Sequence, residues 1–242
     1  MQSLFPCYNV YMNIKGLQKT TLLDYPGHVA ATIFLGGCNF RCPFCHNMNL
    51  VINAEADVSK EEIMRFLNKR QGIIDGVCIT GGEPTLYNDL PEFIKEIKDI
   101  GYLIKLDTNG TNPDMIKTLA EKNLIDYIAM DIKTRISDYS VVSGVNCDDD
   151  LICKIKESVK YLINGSIDYE FRTTIIKNYH SEDVMKEISS EIQGAKRYFL
   201  QNYIESEFVQ DKSLVACTLD ELNKYKEMLK KSGINTEIRG VS

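Results

Sequence analysis

The stretch VAATIFLGGCNFRCPFCHN, Val29 to Asn47, joins a continuous apolar run to Cys38, Cys42 and Cys45. The apolar half, Val29 to Leu35, reads as a strand of a parallel sheet covered on both faces. The other half sets three thiols within eight residues, spaced CxxxCxxC, on the loop that leaves the strand. Thiolate-rich sites select zinc or iron–sulfur clusters, and a closed structural site takes four protein ligands. Three cysteines leave one coordination position open, which is the mark of a catalytic metal site. In a 4Fe-4S cluster they would hold three irons and leave the fourth for a small molecule.

Other readings of the same residues exist. Cys42-Pro43-Phe44-Cys45-His46 matches the CxxCH pattern of c-type haem attachment, but that requires export and no signal peptide is visible. His46 could complete a zinc site, although adjacent ligands at 45 and 46 chelate one ion poorly. Three buried thiols without metal are the plainest alternative.

The whole chain narrows the class. Its 242 residues suffice for one substantial core, and residues 14–242 are expected to form a single domain. A net charge of −6, with Lys and Arg scattered among acids, gives no basic face for nucleic acid or anionic lipid. No apolar run approaches the ~20 residues that span a bilayer. Eight cysteines, three clustered and five isolated, do not make a secreted disulfide framework, so a reducing cytoplasm is expected. Residues 1–13 are expected to be an N-terminal extension without fixed structure, with Met12 a candidate true start.

In order, Leu17 to Val29 is expected to cover one edge of the core. A helix follows the capping box of Ser59 and Glu62. Gly76 to Thr80 is a strand, followed by a helix from near Asn88 that Gly101 ends. Tyr102 to Leu106 is a strand before a helix capped by Asn112-Pro113. Asp126 to Met130 is a strand, and the acidic run Asp148 to Asp150 suits the positive end of the next helix. Strands Ile167 to Thr174 and Arg197 to Leu200 flank a helix over Ser181 to Gln193, and Thr218 with Glu221 opens the last. Six strand-then-helix units predict an α/β fold of parallel strands, an incomplete (β/α)6 TIM-like barrel in preference to a doubly wound sheet.

The barrel is preferred because the polar motifs follow the strand ends, where the loops of such folds gather around a ligand. After the cysteine loop come Gly81-Gly82-Glu83-Pro84, Asp107-Thr108-Asn109-Gly110 and Asp131-Ile132-Lys133. The fifth strand carries Arg172 and Thr174, and the sixth runs into Gln201-Asn202-Tyr203. Singly these are ordinary turn residues and solvated pairs. Together they place six sets of chemistry over one mouth.

CxxxCxxC with an aromatic residue before its last cysteine, followed after the next strand by GGEP, resembles the radical S-adenosylmethionine superfamily. The order LDYPGHVAATIFLGGCNFRCPFCHN, TGGEP, LDTNG and MDIK, over roughly Leu17 to Tyr203, is most similar to the glycyl-radical-enzyme activases, particularly the anaerobic ribonucleoside-triphosphate reductase activating proteins. The resemblance implies one 4Fe-4S cluster on Cys38, Cys42 and Cys45, with the amino and carboxylate groups of S-adenosylmethionine on the fourth iron. It implies that Phe44 packs near the adenine and that the Gly81-Gly82-Glu83 edge binds the methionyl amino group. Asp107 and Thr108 match positions that help hold a monovalent cation in the related pyruvate formate-lyase activases. Asp131 and Lys133 match a DxK pair beside the cofactor carboxylate, and Arg172 matches a carboxylate or ribose contact. Two departures stand out. Tyr203 replaces a histidine found in those activases, and no cysteine-rich insert lies between Asn47 and Gly81.

The implied activity is reductive. Flavodoxin or ferredoxin would donate an electron, S-adenosylmethionine would be cleaved to a 5′-deoxyadenosyl radical, and that radical would take a hydrogen atom from a backbone glycine of a partner glycyl radical enzyme. Two alternatives remain. One is a radical S-adenosylmethionine enzyme acting on a peptide or small molecule, such as a 7-carboxy-7-deazaguanine synthase-like enzyme; the other is a non-catalytic iron–sulfur or zinc module.

Overall fold

The structure, a computed structural model, describes residues 12–52, 57–209 and 211–240. The chain enters β1 (Ile14–Thr21), turns, and returns as β2 (Ala30–Leu35). Helices α1 (Met48–Ile52) and α2 (Lys60–Lys69) lead to β3 (Gly76–Gly81), followed by α3 (Leu90–Ile100), β4 (Leu103–Thr108), α4 (Pro113–Glu121) and β5 (Tyr127–Asp131). Then come α5 (Tyr139–Ser143), α6 (Asp149–Asn164), β6 (Asp168–Ile175), α7 (Glu182–Glu191), β7 (Tyr198–Asn202), α8 (Leu219–Lys231) and β8 (Thr236–Arg239). Of the expected N-terminal extension, residues 1–11 lie outside the described residues. Asn13 accepts the Gly36 N–H at 2.8 Å and so lies beside the end of β2.

All eight strands belong to one sheet in sequence order, with β1 antiparallel to β2 and every later pair parallel. β1 and β8 are the unpaired edges, so the sheet curls into an incomplete barrel as the alternation predicts. The sequence reading missed both edges. β1 lacks an alternating apolar pattern and owes its place to pairing with β2, and β8 is only four residues long. The short helices α1 and α5 were missed for the same reason of length.

Local signals place the main helices well. Ser59, Asn112, Asp148, Ser181 and Thr218 each accept the backbone N–H three residues on. Each such cap contributes about 1 kcal/mol. Gly101 ends α3 with φ 109°, a left-handed conformation that costs glycine nothing.

Successive strand residues face opposite sides, and parallel register carries each face across the sheet. Ile33, Ile79, Leu106, Ile128, Phe171 and Leu200 face the helices and join Ile63, Phe93, Ile116, Leu162 and Ile188 in one core. The opposite face lines the barrel interior and is largely polar. Along it Thr32 registers with Cys78, Cys78 with Lys105, Asp131 with Arg172, and Gln201 with Arg239. Cys78 is fully buried on this polar face, with Lys105 Nζ 3.7 Å from its sulfur.

Lower in the barrel, Tyr25 packs against Tyr127 with ring centroids 6.1 Å apart, so the turn between β1 and β2 plugs the bottom. A Cβ on Gly76 would lie 2.9 Å from the Tyr25 ring, which explains a glycine there. Above the plug, Glu170 is wholly buried and accepts from both Arg239 guanidinium nitrogens, at 2.6 and 2.9 Å, and from the Tyr127 hydroxyl at 2.8 Å. Among the described residues no helix is long and apolar enough to cross a membrane. Glu170→Ala would leave Arg239 without its carboxylate at the barrel wall; the urea midpoint should report a loss of about 3–5 kcal/mol.

Candidate active site

The loops at the carboxyl ends of β2 to β7 enclose a cavity of about 280 Å3. Its lining includes Cys38, Glu83, Asp107, Lys133, Arg172 and Gln201, one from each of those loops or strand ends. All of the site residues expected from sequence border it, which the shared direction of parallel strands makes possible.

The cysteine loop is tied down on both sides. Gly37 N–H donates to Leu50 O at 2.9 Å, and Arg41 N–H donates to Ser143 O at 2.7 Å, where Gly144 allows the close approach. The Arg41 side chain donates back to the carbonyls of Cys38 and Phe40 at 2.5 and 2.7 Å. Phe40 N–H points at Cys38 Sγ, 3.3 Å away, and Cys45 N–H donates to Cys42 O at 3.0 Å. Phe44 is buried, with its ring centroid 6.5 Å from that of Tyr179.

Burial pushes the Cys38 thiol up to about 12, with Glu83 adding to the effect, and the Cys42 thiol up to about 11. Cys45 is raised by burial too, while the Lys133 ammonium pulls all three downward. One cation therefore faces the whole thiol set. Among the described residues no three His, Cys, Asp or Glu side chains gather around a single ion-sized point. The cysteines instead border one wide cavity, a placement that fits a cluster giving each cysteine its own iron. His46 is exposed, its ring 6.1 Å from that of Tyr203.

Opposite the thiols lies a chain of alternating charges. Lys105 pairs with Asp107; Asp107 accepts from Arg172 at 3.2 Å; Arg172 donates to Asp131 at 2.9 Å; and Asp131 meets Lys133 Nζ at 2.9 Å. Burial disfavours the Asp131 carboxylate, but Arg172 and then Lys133 outweigh it and hold the group at about 2. Asp107 is likewise lowered despite burial, by Arg172 and Lys105. Lys133 stays charged against the pull of burial because of Asp131.

Lys133 is also fixed through its backbone. Its N–H donates to the Tyr139 hydroxyl at 3.1 Å, and its carbonyl lies 3.0 Å from His180 Nε2. His180 Nδ1 accepts from Ile176 N–H at 3.0 Å, so the bonding assigns the proton to Nε2, and burial lowers the imidazole's proton affinity.

Glu83 and Thr108 border the cavity and are bonded to each other. The Glu83 carboxylate is fully buried and takes four hydrogen bonds: from the Thr85 N–H and hydroxyl, the Thr108 hydroxyl and the Asn109 N–H. It fastens the loop after β3 to the loop after β4, leaving the Gly81-Gly82 backbone to face the cavity. Thr108 is committed to Glu83, and Asp107, expected beside a monovalent cation, has an ammonium and a guanidinium as counter-charges. A Cβ on Gly82 would overlap the Gly37 carbonyl oxygen, so that glycine lets the two loops pack.

Sequence reasoning missed Lys105, and Asn39, whose side chain bonds Asn109 and Thr111 at 2.8 and 2.9 Å and clamps the cysteine loop onto β4's end. Lys105 did carry a signal. In Ile104-Lys105-Leu106-Asp107 the charged residues alternate with apolar ones, which marks a strand with one polar face.

The family model described as the Radical SAM superfamily matches residues 32–188. A Methanocaldococcus jannaschii protein, provisionally named a glycyl-radical enzyme activating enzyme, is 30% identical over 95% of this chain and 96% of its own length. A Thermococcus kodakarensis protein, provisionally named a GTP 3′,8-cyclase, is 34% identical over 52% of this chain and 41% of its own. Among solved structures, Streptococcus suis SuiB bound to S-adenosylmethionine superposes with a TM-score of 0.67 at 18% identity, over 84% of this chain and 48% of that one.

The charge chain sets an acid limit. Asp131 is more acidic folded than unfolded, so its pairing contributes fully above its ordinary 3.8 and is lost as pH falls toward about 2. Asp131→Asn should flatten the fall of stability in that window, read as the urea midpoint against pH. Gly82→Ala should force the two loops apart and weaken S-adenosylmethionine binding about tenfold, roughly 1.4 kcal/mol by equilibrium titration.

Proposed function

The chain belongs to the radical S-adenosylmethionine superfamily, whose cofactors are a 4Fe-4S cluster and S-adenosylmethionine, and from that premise we propose that it is a glycyl-radical-enzyme activase. Its partner would be a glycyl radical enzyme, anaerobic ribonucleotide reductase first among the candidates. The carrying observation is the charge pairing in the cavity. Asp107 and Asp131 pair with Lys105, Arg172 and Lys133, which leaves this set a single positive charge in excess, enough for the cofactor carboxylate and short of the several cations that a polyphosphate takes. A neutral polypeptide loop suits such a wall better than a nucleotide does. The near end-to-end match to the Methanocaldococcus jannaschii relative supports the same choice over a GTP cyclase.

In this reading Cys38, Cys42 and Cys45 would hold the cluster, and S-adenosylmethionine would occupy the cavity they border. When bound, the cluster would supply the electron for reductive cleavage of S-adenosylmethionine, with flavodoxin or ferredoxin in the cytoplasm as the donor. The protein's own residues bind and orient. Phe44 offers the adenine an apolar face, and the Gly81-Gly82 backbone allows a close approach to the methionyl end. Lys133, anchored at both its backbone and its ammonium, presents positive charge toward the cofactor carboxylate without a reorganisation cost. Arg172 keeps Asp107 and Asp131 from repelling that carboxylate.

Anaerobic reconstitution should load iron, and reduction with S-adenosylmethionine should release methionine and 5′-deoxyadenosine. Mixing with anaerobic ribonucleotide reductase should then produce a glycyl radical signal by electron paramagnetic resonance. GTP consumption instead would replace the activase reading with a small-molecule one. Cys42→Ala should abolish cleavage and lower bound iron while far-ultraviolet circular dichroism stays that of the intact barrel; retained cleavage would refute Cys42 as a ligand.

A further inference from the structure

Of the five charged side chains at the mouth, Asp107, Asp131, Lys133 and Arg172 line the cavity. Lys105 lies behind that wall, one step below Asp107 on the same face of β4, and is only 2% exposed. An ammonium in that place is costly to bury and does not border the space a ligand fills. Its partners show what it does. It pairs with Asp107 Oδ1, and the Cys78 sulfur lies 3.7 Å away. Burial pulls its proton affinity down, but Asp107 outweighs burial and holds it above the ordinary lysine range.

The carboxylate oxygens of the two aspartates are all engaged. Asp107 Oδ1 pairs with Lys105, while Oδ2 accepts from Arg172 at 3.2 Å and from the Thr80 hydroxyl at 3.1 Å. Asp131 Oδ1 accepts from Arg172 and Oδ2 from Lys133, both at 2.9 Å. Each oxygen therefore meets a protein cation, and a metal ion beside Asp107 would have to displace one of them. Three cations against two carboxylates leave this set one positive charge, which a bound cofactor carboxylate cancels. Without Lys105 the set would be neutral, and the same carboxylate would add an uncompensated negative charge where little water reaches. A hard cation held by oxygen ligands is the other way to restore the balance.

We infer that Lys105 is a built-in counter-ion, whose charge behind Asp107 lets the cavity take the carboxylate of S-adenosylmethionine without an alkali-metal ion. Lys105 is a positioning residue: it acts on the cofactor through Asp107 and Arg172, not by touching it. Arg172 bridges both aspartates, so the ammonium beneath Asp107 keeps that bridge from being drawn wholly to one side. The inference rests on the placement of the cofactor carboxylate beside Lys133, and it holds whichever substrate the radical attacks.

The test uses the full chain with its cluster reconstituted and kept oxidised, so that nothing turns over. S-adenosylmethionine affinity is measured by calorimetry in potassium, sodium and tetramethylammonium chloride at equal ionic strength. The unaltered chain should bind equally well in all three. In tetramethylammonium, Lys105→Ala should bind about tenfold more weakly, roughly 1.4 kcal/mol. Potassium or propylammonium should restore most of that loss, because each can bring a positive charge into the space the side chain leaves. Such rescue separates a counter-ion from a packing residue. A loss of affinity in the unaltered chain when tetramethylammonium replaces potassium would overturn the inference, and that arm needs no variant to fold. So would full affinity in Lys105→Ala, or a loss that no small cation relieves. Lys133→Ala tests the premise separately: unchanged affinity there would remove the carboxylate from Lys133 and this inference with it. A loss in Lys133→Ala beside full affinity in Lys105→Ala would overturn the counter-ion role and leave the cofactor placement standing.

Discussion

Five charged side chains, Lys105, Asp107, Arg172, Asp131 and Lys133, hold the mouth of the barrel together. They come from β4, β5, β6 and the residues just beyond β5, so their pairing fixes the relative height of adjacent strand ends. Charges so little exposed to water are costly unless each meets an opposite partner with good geometry. The alternation of sign along the chain meets that demand, and burial then strengthens each attraction by excluding solvent. The result is an electrostatic platform set before any ligand arrives.

The cysteine loop rests against this platform through a second, neutral network. Glu83 gathers donors from two loops, Asn109 passes the connection to Asn39, and Asn39 sits between Cys38 and Phe40 in the chain. Burial raises the proton affinity of Glu83, and the hydrogen bonds it accepts work against that rise. Gly82 belongs to the same arrangement, since it lets the loops after β2 and β3 approach without a clashing Cβ. A site for a reactive radical needs such rigidity, because its selectivity depends on which atom lies nearest.

The two sides of the cavity consequently differ in character. The wall built by β4 and β5 is ionic and internally neutralised, suited to a zwitterionic cofactor. The wall built by β6 and β7 carries Arg172 and then the uncharged Thr174 and Gln201.

Much of this was legible in the amino-acid order. Local signals fixed the cysteine spacing, the helix caps at Asn112, Asp148 and Thr218, the strand–helix alternation, and the polar motifs after each strand, because each depends on residues a few positions apart. What the order could not give were pairings between distant residues. β1 exists because β2 offers it an edge; Lys105 is an ion-pair partner because Asp107 and Arg172 share its face; and Cys78 lies among charges instead of in the core because register with Lys105 puts it there. Thr108 turns to Glu83 for the same reason. The sequence by itself determined the longer helices, the inner strands and the cysteine spacing; only the tertiary structure decided the edge strands and which charges pair, because those contacts join residues far apart in the chain.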